Sequence, residues 1–194
     1  MFDPREIQRW FMGKNFTADW TSPNFQKLCR ILELRRDRIK RLLEIGQWEG
    51  RSAVFFLEFC AQAVITCVDT LRGGIENHAD PNLPLIGKRF DQNVGAYGAR
   101  VSKMKSDSIV ALHMQTAGQS FDLAYMERSH QRDDIIIDSL LTRIGTIIIW
   151  DDYGGQRDPN NVCVKPAVDL FLSLYSKFAA PIDFGYRVVI ERRV

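Results

Sequence analysis

Leu42-Leu43-Glu44-Ile45-Gly46-Gln47-Trp48-Glu49-Gly50-Arg51-Ser52 decides how the rest of this chain is read. An apolar run reaches a carboxylate, Glu44, breaks at two glycines four positions apart, and gives way to an amphipathic segment from Ala53 to Ala61. That order predicts a strand, a tight turn and a helix. Gly46 and Gly50 let the backbone take dihedrals closed to other residues and come close to a ligand. The helix behind them offers unpaired N–H groups and the positive end of its dipole to whatever lies in the turn. A second apolar run, Ala63 to Val68, ends at Asp69-Thr70, with Asp69 seventeen residues past Ser52. An acid at the end of the second strand of a doubly wound unit is placed to hold a ribose diol. The pattern predicts a nucleoside-binding α/β domain; a tight strand–helix turn without a ligand is the competing reading of the glycines.

Along the rest of the chain, strands and helices alternate. Strands are predicted at 41–45, 64–68, 101–105, 121–126 and 145–150, and helices at 52–60, 86–95, 108–115, 133–141 and 166–178. Residues 145–150 are apolar throughout, as in a strand covered on both faces. A hairpin around Gly185 closes the chain. Alternation followed by a hairpin predicts a seven-stranded, mostly parallel sheet with one antiparallel strand and helices on both faces. Residues 71–85 read as a long loop leaving the ribose-binding strand end, a place where loops are usually functional; His78 within it reads as solvated. Residues 1–40 form a helical extension too rich in aromatics (Trp10, Phe11, Phe16, Trp20, Phe25) for a disordered tail. Packing of that extension on the sheet edge is preferred over a lid across the site, and its aromatics would suit a homodimer contact.

At 194 residues, with 26 basic and 24 acidic side chains, the chain suits one domain with a sizeable core and carries no bulk charge that argues for nucleic acid or an anionic membrane as partner. The basic stretch Arg35 to Arg41 is interleaved with Leu32, Leu34, Ile39 and Leu42 and reads as a solvated face. There is no run of apolar residues long enough to span a bilayer and no signal pattern at Met1 to Glu6, so a cytoplasmic protein is expected. Cys29, Cys60, Cys67 and Cys163 lack metal spacing and read as free thiols.

Four strand ends carry acids: Glu44, Asp69, Glu127 and the pair Asp151-Asp152. Ligands of open α/β sheets bind beyond the carboxyl ends of the strands. Crowded carboxylates there need a shared cation or proton, so Glu127, Asp151 and Asp152 are candidate ligands for a hard divalent ion such as Mg²⁺. His130, at the same strand end as Glu127, is the candidate general base.

The glycine spacing selects among nucleosides. A dinucleotide site takes G-x-G-x-x-G; here Glu44 begins E-x-G-x-x-x-G, with Trp48 and Glu49 in the turn. An acidic Glu49 suits a sulfonium or an ammonium group better than a pyrophosphate. In this the chain resembles the class I S-adenosylmethionine-dependent methyltransferases. Taken with Val68-Asp69-Thr70, Tyr125 to His130 and Asp151-Asp152-Tyr153, it is similar to their small O-methyltransferases of the macrocin and catechol type, over about residues 41–194. The resemblance implies a Rossmann-like fold and O-methylation of a small molecule, a sugar or phenolic natural product. It places Glu44, Gly46, Gln47, Trp48, Gly50 and Ser52 at the amino acid end of S-adenosylmethionine, and Asp69 with Thr70 at its ribose. Asp107 and Ser108 fall at the adenine, beside their reading as a helix cap, and Glu127 counts among the cofactor residues. In metal-dependent members the positions of Glu127, Asp151 and Asp152 hold Mg²⁺. Relatives usually read Tyr-Ile-Asp-Gly-Ser-His where this chain has Tyr125-Met126-Glu127-Arg128-Ser129-His130. Arg128 can therefore stand in for the metal or bind an anionic substrate. A cofactor-binding module without catalysis is the alternative from another class, and a nicotinamide oxidoreductase is disfavoured by the missing middle glycine.

Overall fold

The computed structural model describes residues 2–73, 80–115, 120–127, 132–141, 147–154 and 164–193. His78, Arg128, Ser129, His130 and Cys163 lie outside them. The strands are β1 (Arg41–Ile45), β2 (Val64–Asp69), β3 (Val101–Lys105), β4 (Leu123–Met126), β5 (Ile147–Trp150), β6 (Ala179–Phe184) and β7 (Val188–Arg192). They form one seven-stranded sheet in the order β3-β2-β1-β4-β5-β7-β6. The first five pair in parallel, and β7 runs antiparallel to both β5 and β6. β7 is thus the one reversed strand, as the terminal hairpin predicts. Strand order reverses direction at β1, between β2 and β4, so a crevice opens at their carboxyl ends, where ligands of such sheets bind.

The helices are α1 (Pro4–Arg9), α2 (Phe25–Leu32), α3 (Arg51–Phe59), α4 (Ile86–Val94), α5 (Ser108–Val110), α6 (Arg132–Leu141) and α7 (Val164–Tyr175). Side chains alternate between faces along each strand, and this builds two cores. Leu42, Cys67, Tyr125, Ile149 and Val189 pack with α2, α3 and Phe90 of α4. Leu43, Ile45, Val68, Ala124, Met126, Ile148 and Trp150 pack with Ile135 of α6 and Val168 and Phe171 of α7. Helices on both faces follow from strands apolar on both faces. Helix α5 is a single turn continued by a wider, π-type turn over 111–115, and the two together span the predicted helix.

The N-terminal extension packs on α3 and also reaches the β6–β7 edge of the sheet, where Lys27 pairs with Asp183 at 2.6 Å and Arg35 with Glu191 at 3.6 Å. Phe25 stacks on Phe55 of α3 with centroids 4.2 Å apart, Phe11 stacks on Phe25 at 5.5 Å, and Trp10 meets Phe55 at 5.9 Å. The physical reason is Phe55, Phe56 and Phe59: α3 presents more aromatic surface than the sheet can cover, and the extension buries the rest. Trp10, Phe11, Phe16 and Phe25 accordingly pack inward. Cys29, Cys60 and Cys67 are free and buried, as expected. Burial pushes the Cys29 and Cys60 thiols up to about 12. Among the described residues no helix is long and apolar enough to cross a membrane.

Candidate active site

The turn between β1 and α3 takes the shape its glycines allow. Gly46 has φ 85° and Gly50 φ 82°, both left-handed. At Gly50 a Cβ would stand 2.8 Å from the Phe90 ring, so space as well as dihedral excludes a side chain. Trp48 is held at φ 47°, an uncommon conformation for a bulky residue. Its N–H donates to Asp69 Oδ2 at 3.1 Å, which fastens the turn to the end of β2. Asp69 Oδ1 accepts from the Leu71 N–H at 2.7 Å. Asp69 thus shapes the loops on both sides of the crevice.

Glu44 lies wholly buried beneath the turn. It accepts hydrogen bonds from the Ser52 hydroxyl and, at 3.4 Å, the Cys67 thiol. Burial raises its carboxyl to about 7, against the opposing pull of those two bonds. Among the described residues Gln47, 1% exposed, has a partner for neither its amide oxygen nor its amide nitrogen, and the buried Trp48 indole N–H has none either. Orphaned polar atoms at this depth call for a ligand. A donor and an acceptor side by side fit the zwitterionic amino acid end of S-adenosylmethionine.

Glu49, read in the turn as an acid that disfavours a pyrophosphate, is engaged by the extension and α4. It is 1% exposed and accepts from the Thr17 N–H at 2.6 Å, the Thr17 hydroxyl at 2.8 Å and Arg89 of α4 at 2.9 Å. Asn93 ties the same place together, donating to the Glu49 and Asn15 carbonyls at 2.9 Å each and accepting from the Asn15 N–H at 2.7 Å. This acid of the turn thus anchors the extension.

One residue past the last strand pairs, the register sets Asp69, Gly46, Glu127, Asp151 and Arg187 in a row across the carboxyl edge. Backbone bonds continue the ladder there: Gly46 N–H to Val68 O at 2.9 Å, Glu127 N–H to Ile45 O at 2.9 Å and Asp151 N–H to Met126 O at 3.0 Å. Because side chains alternate, the row shares a face with Glu44 and Tyr125 two residues behind. Gly46 leaves the position between Asp69 and Glu127 without a side chain.

Asp151 is buried against Arg187 of the β6–β7 hairpin, itself 4% exposed. Asp151 Oδ2 accepts from Arg187 Nη2 and from the Tyr125 hydroxyl, the latter at 2.5 Å; Arg187 Nη2 also donates to that hydroxyl at 3.0 Å. Asp151 Oδ1 accepts from the Asp152 N–H at 2.8 Å, and Asp152 Oδ1 from the Tyr186 hydroxyl. Burial, then the charge of Asp151, holds Glu127 well above the usual carboxylate range, with Arg187 pulling it down. Burial works against the Arg187 charge, but Tyr125 and Asp151 more than restore it. A divalent ion would have to share Asp151 with this guanidinium. As arranged, the acids do not fit a metal, and no group of three or more candidate ligands forms among the described residues.

Asp107 caps α5 through the Ile109 N–H at 3.0 Å, and buried Ser108 donates to Asp138 of α6 at 2.7 Å. The Thr70 hydroxyl accepts from the Arg72 N–H at 3.3 Å. Sequence reasoning missed Arg187, Arg89 and Thr17. Only the hairpin register, which sets Arg187 opposite Asp151, could have revealed the first.

The profile of a family described as "Methyltransferase domain" matches residues 43–153, from β1 to the turn after β5. The chain belongs to this family and is a class I S-adenosylmethionine-dependent methyltransferase. The fold is shared with a putative caffeoyl-CoA O-methyltransferase from Staphylococcus aureus (12% identity, 98% of this chain and 93% of that one, TM-score 0.61). It is shared likewise with the O-methyltransferase TomG of tomaymycin synthesis from Streptomyces achromogenes, solved with SAM (13% identity, 98% and 88%, TM-score 0.59). The mycinamycin-pathway methyltransferase MycE, solved with Mg and SAH, superposes at 19% identity and TM-score 0.62 over 99% of this chain and 55% of its own. Among curated proteins none matches by sequence.

Proposed function

We propose that this chain transfers the methyl group of S-adenosylmethionine to an oxygen of a small hydroxylated acceptor, a sugar or a phenol. The observation that carries this is the unpartnered, buried Gln47 amide in a glycine turn that opens onto a row of acids. O-methyltransferases with the same fold, among them one solved with mycinamycin VI, support the acceptor class. When bound, S-adenosylmethionine supplies an electrophilic methyl on sulfonium.

Gly46, Gln47, Trp48 and Gly50 receive its amino acid end, with Glu44 and Ser52 bracing the turn from beneath. Asp69 and Thr70 take the ribose, Asp107 and Ser108 the adenine, and Glu127 borders the cofactor. His130 removes the acceptor proton; the C–O bond forms as the S–C bond breaks, and that electron pair stays on sulfur. Alignment of a deprotonated oxygen with the methyl supplies most of the catalysis. Asp151 is engaged by Arg187 rather than left open to Mg²⁺.

Formation of S-adenosylhomocysteine, followed over a panel of phenols and sugars, tests the reading. Turnover with one member, lost in His130→Ala, is expected. Cofactor binding without turnover on any of them would leave a binding module instead.

A further inference from the structure

Arg187 does more than the hairpin requires. It is 4% exposed, yet Nε and Nη1 have no hydrogen-bond partner among the described residues, while Nη2 alone serves Asp151 and Tyr125. A buried guanidinium stays charged in any protein environment, and donors left unbonded at such depth are rare without a ligand. We propose that Arg187 is the resident cation of the acid row: it occupies the place of a divalent ion at Asp151, so that the acceptor site works without bound metal and offers Nε–H or Nη1–H to the acceptor oxygen. The proposal rests on the O-methyltransferase reading above.

The geometry argues for replacement rather than coexistence. Mg²⁺ demands near-octahedral oxygen coordination at about 2.1 Å and strips few of its waters. Asp151 Oδ2 already accepts from two donors, Asp151 Oδ1 from the Asp152 N–H, and Asp152 Oδ1 from Tyr186. Removing the guanidinium would free Asp151 beside Glu127, the oxygens a divalent ion prefers. The wild-type site is therefore a latent metal site closed by an internal charge, and Arg187 gives the acceptor oxygen the positive neighbour an ion would have given.

Mn²⁺ alone is the probe, followed by the loss of its free-ion electron paramagnetic resonance signal, with and without S-adenosylhomocysteine. Wild type is expected to leave that signal unchanged at millimolar Mn²⁺, and Arg187→Met to take up about one equivalent. Arg187→Lys keeps the charge and should exclude the ion as wild type does, a distinction that a purely structural role for the side chain would not produce. Two results overturn the proposal: one equivalent bound by wild type and lost in Asp151→Asn, or a folded Arg187→Met that binds none. If Arg187→Met does not fold, wild type and Arg187→Lys decide, with uptake by both refuting and exclusion by both supporting. Failure of S-adenosylhomocysteine to bind counts against the methyltransferase reading instead, and is read separately from the metal signal.

Discussion

Burial of the Glu44 carboxyl between Ser52 and Cys67 couples the strand end to pH. Its value rises from 4.5 to about 7 in the folded protein, so between those values the native state holds a proton that the unfolded chain releases. Stability from this group is fully present below 4.5 and is lost as pH rises through about 7, on the order of 3 kcal/mol in all. In Glu44→Gln, which keeps the acceptor for Ser52, denaturation at about pH 5 and about pH 8 should differ less than in wild type; equal differences would contradict the assignment. At Gly50 the constraint is steric. Ala there meets both a positive φ and the Phe90 ring, and should cost about 1–3 kcal/mol in thermal unfolding. Gly46 and Gly50 were readable from sequence because a strand–turn–helix junction leaves few other ways to use them. The direction of Glu49 was not, since nothing local distinguishes a carboxylate facing a ligand from one facing Thr17 and Arg89.

At the scale of elements, that carboxylate joins three segments. Arg89→Met strands a buried charge and should destabilise the fold by about 3 kcal/mol. It should also speed hydrogen exchange at the Asn15 and Thr17 amides, which are bonded to Asn93 and Glu49. The double variant Glu49→Gln, Arg89→Met should recover much of that loss, because the uncompensated charge is gone. A full loss retained in the double variant would mean that packing, not charge, governs the contact. Strand positions were legible in the sequence because β1, β2, β4 and β5 are apolar on both faces and end in acids or glycine. The contact of the extension with α3 was not, because an aromatic helix carries no record of every surface it covers. Phe55 and Phe59 settle that only once α3 is in place.

At the scale of the whole molecule, strand order brings distant acids together. β1, β4 and β5 lie side by side, so Gly46, Glu127 and Asp151 become neighbours although a hundred residues separate the ends of that list. Arg187 joins them only because β7 returns antiparallel beside β5 with Val188 opposite Trp150. The acid row could be anticipated from the strand ends; its cation could not, since it depends on the register of a hairpin distant in sequence. The crevice above that row is where the proposed function puts S-adenosylmethionine. Titration calorimetry with S-adenosylhomocysteine, with NAD as the control, examines this directly. Binding of S-adenosylhomocysteine at a Kd of about 1–100 μM, weakened at least tenfold in Gly46→Val and absent for NAD, is the expected result. No heat with S-adenosylhomocysteine, or tighter binding of NAD, would contradict it.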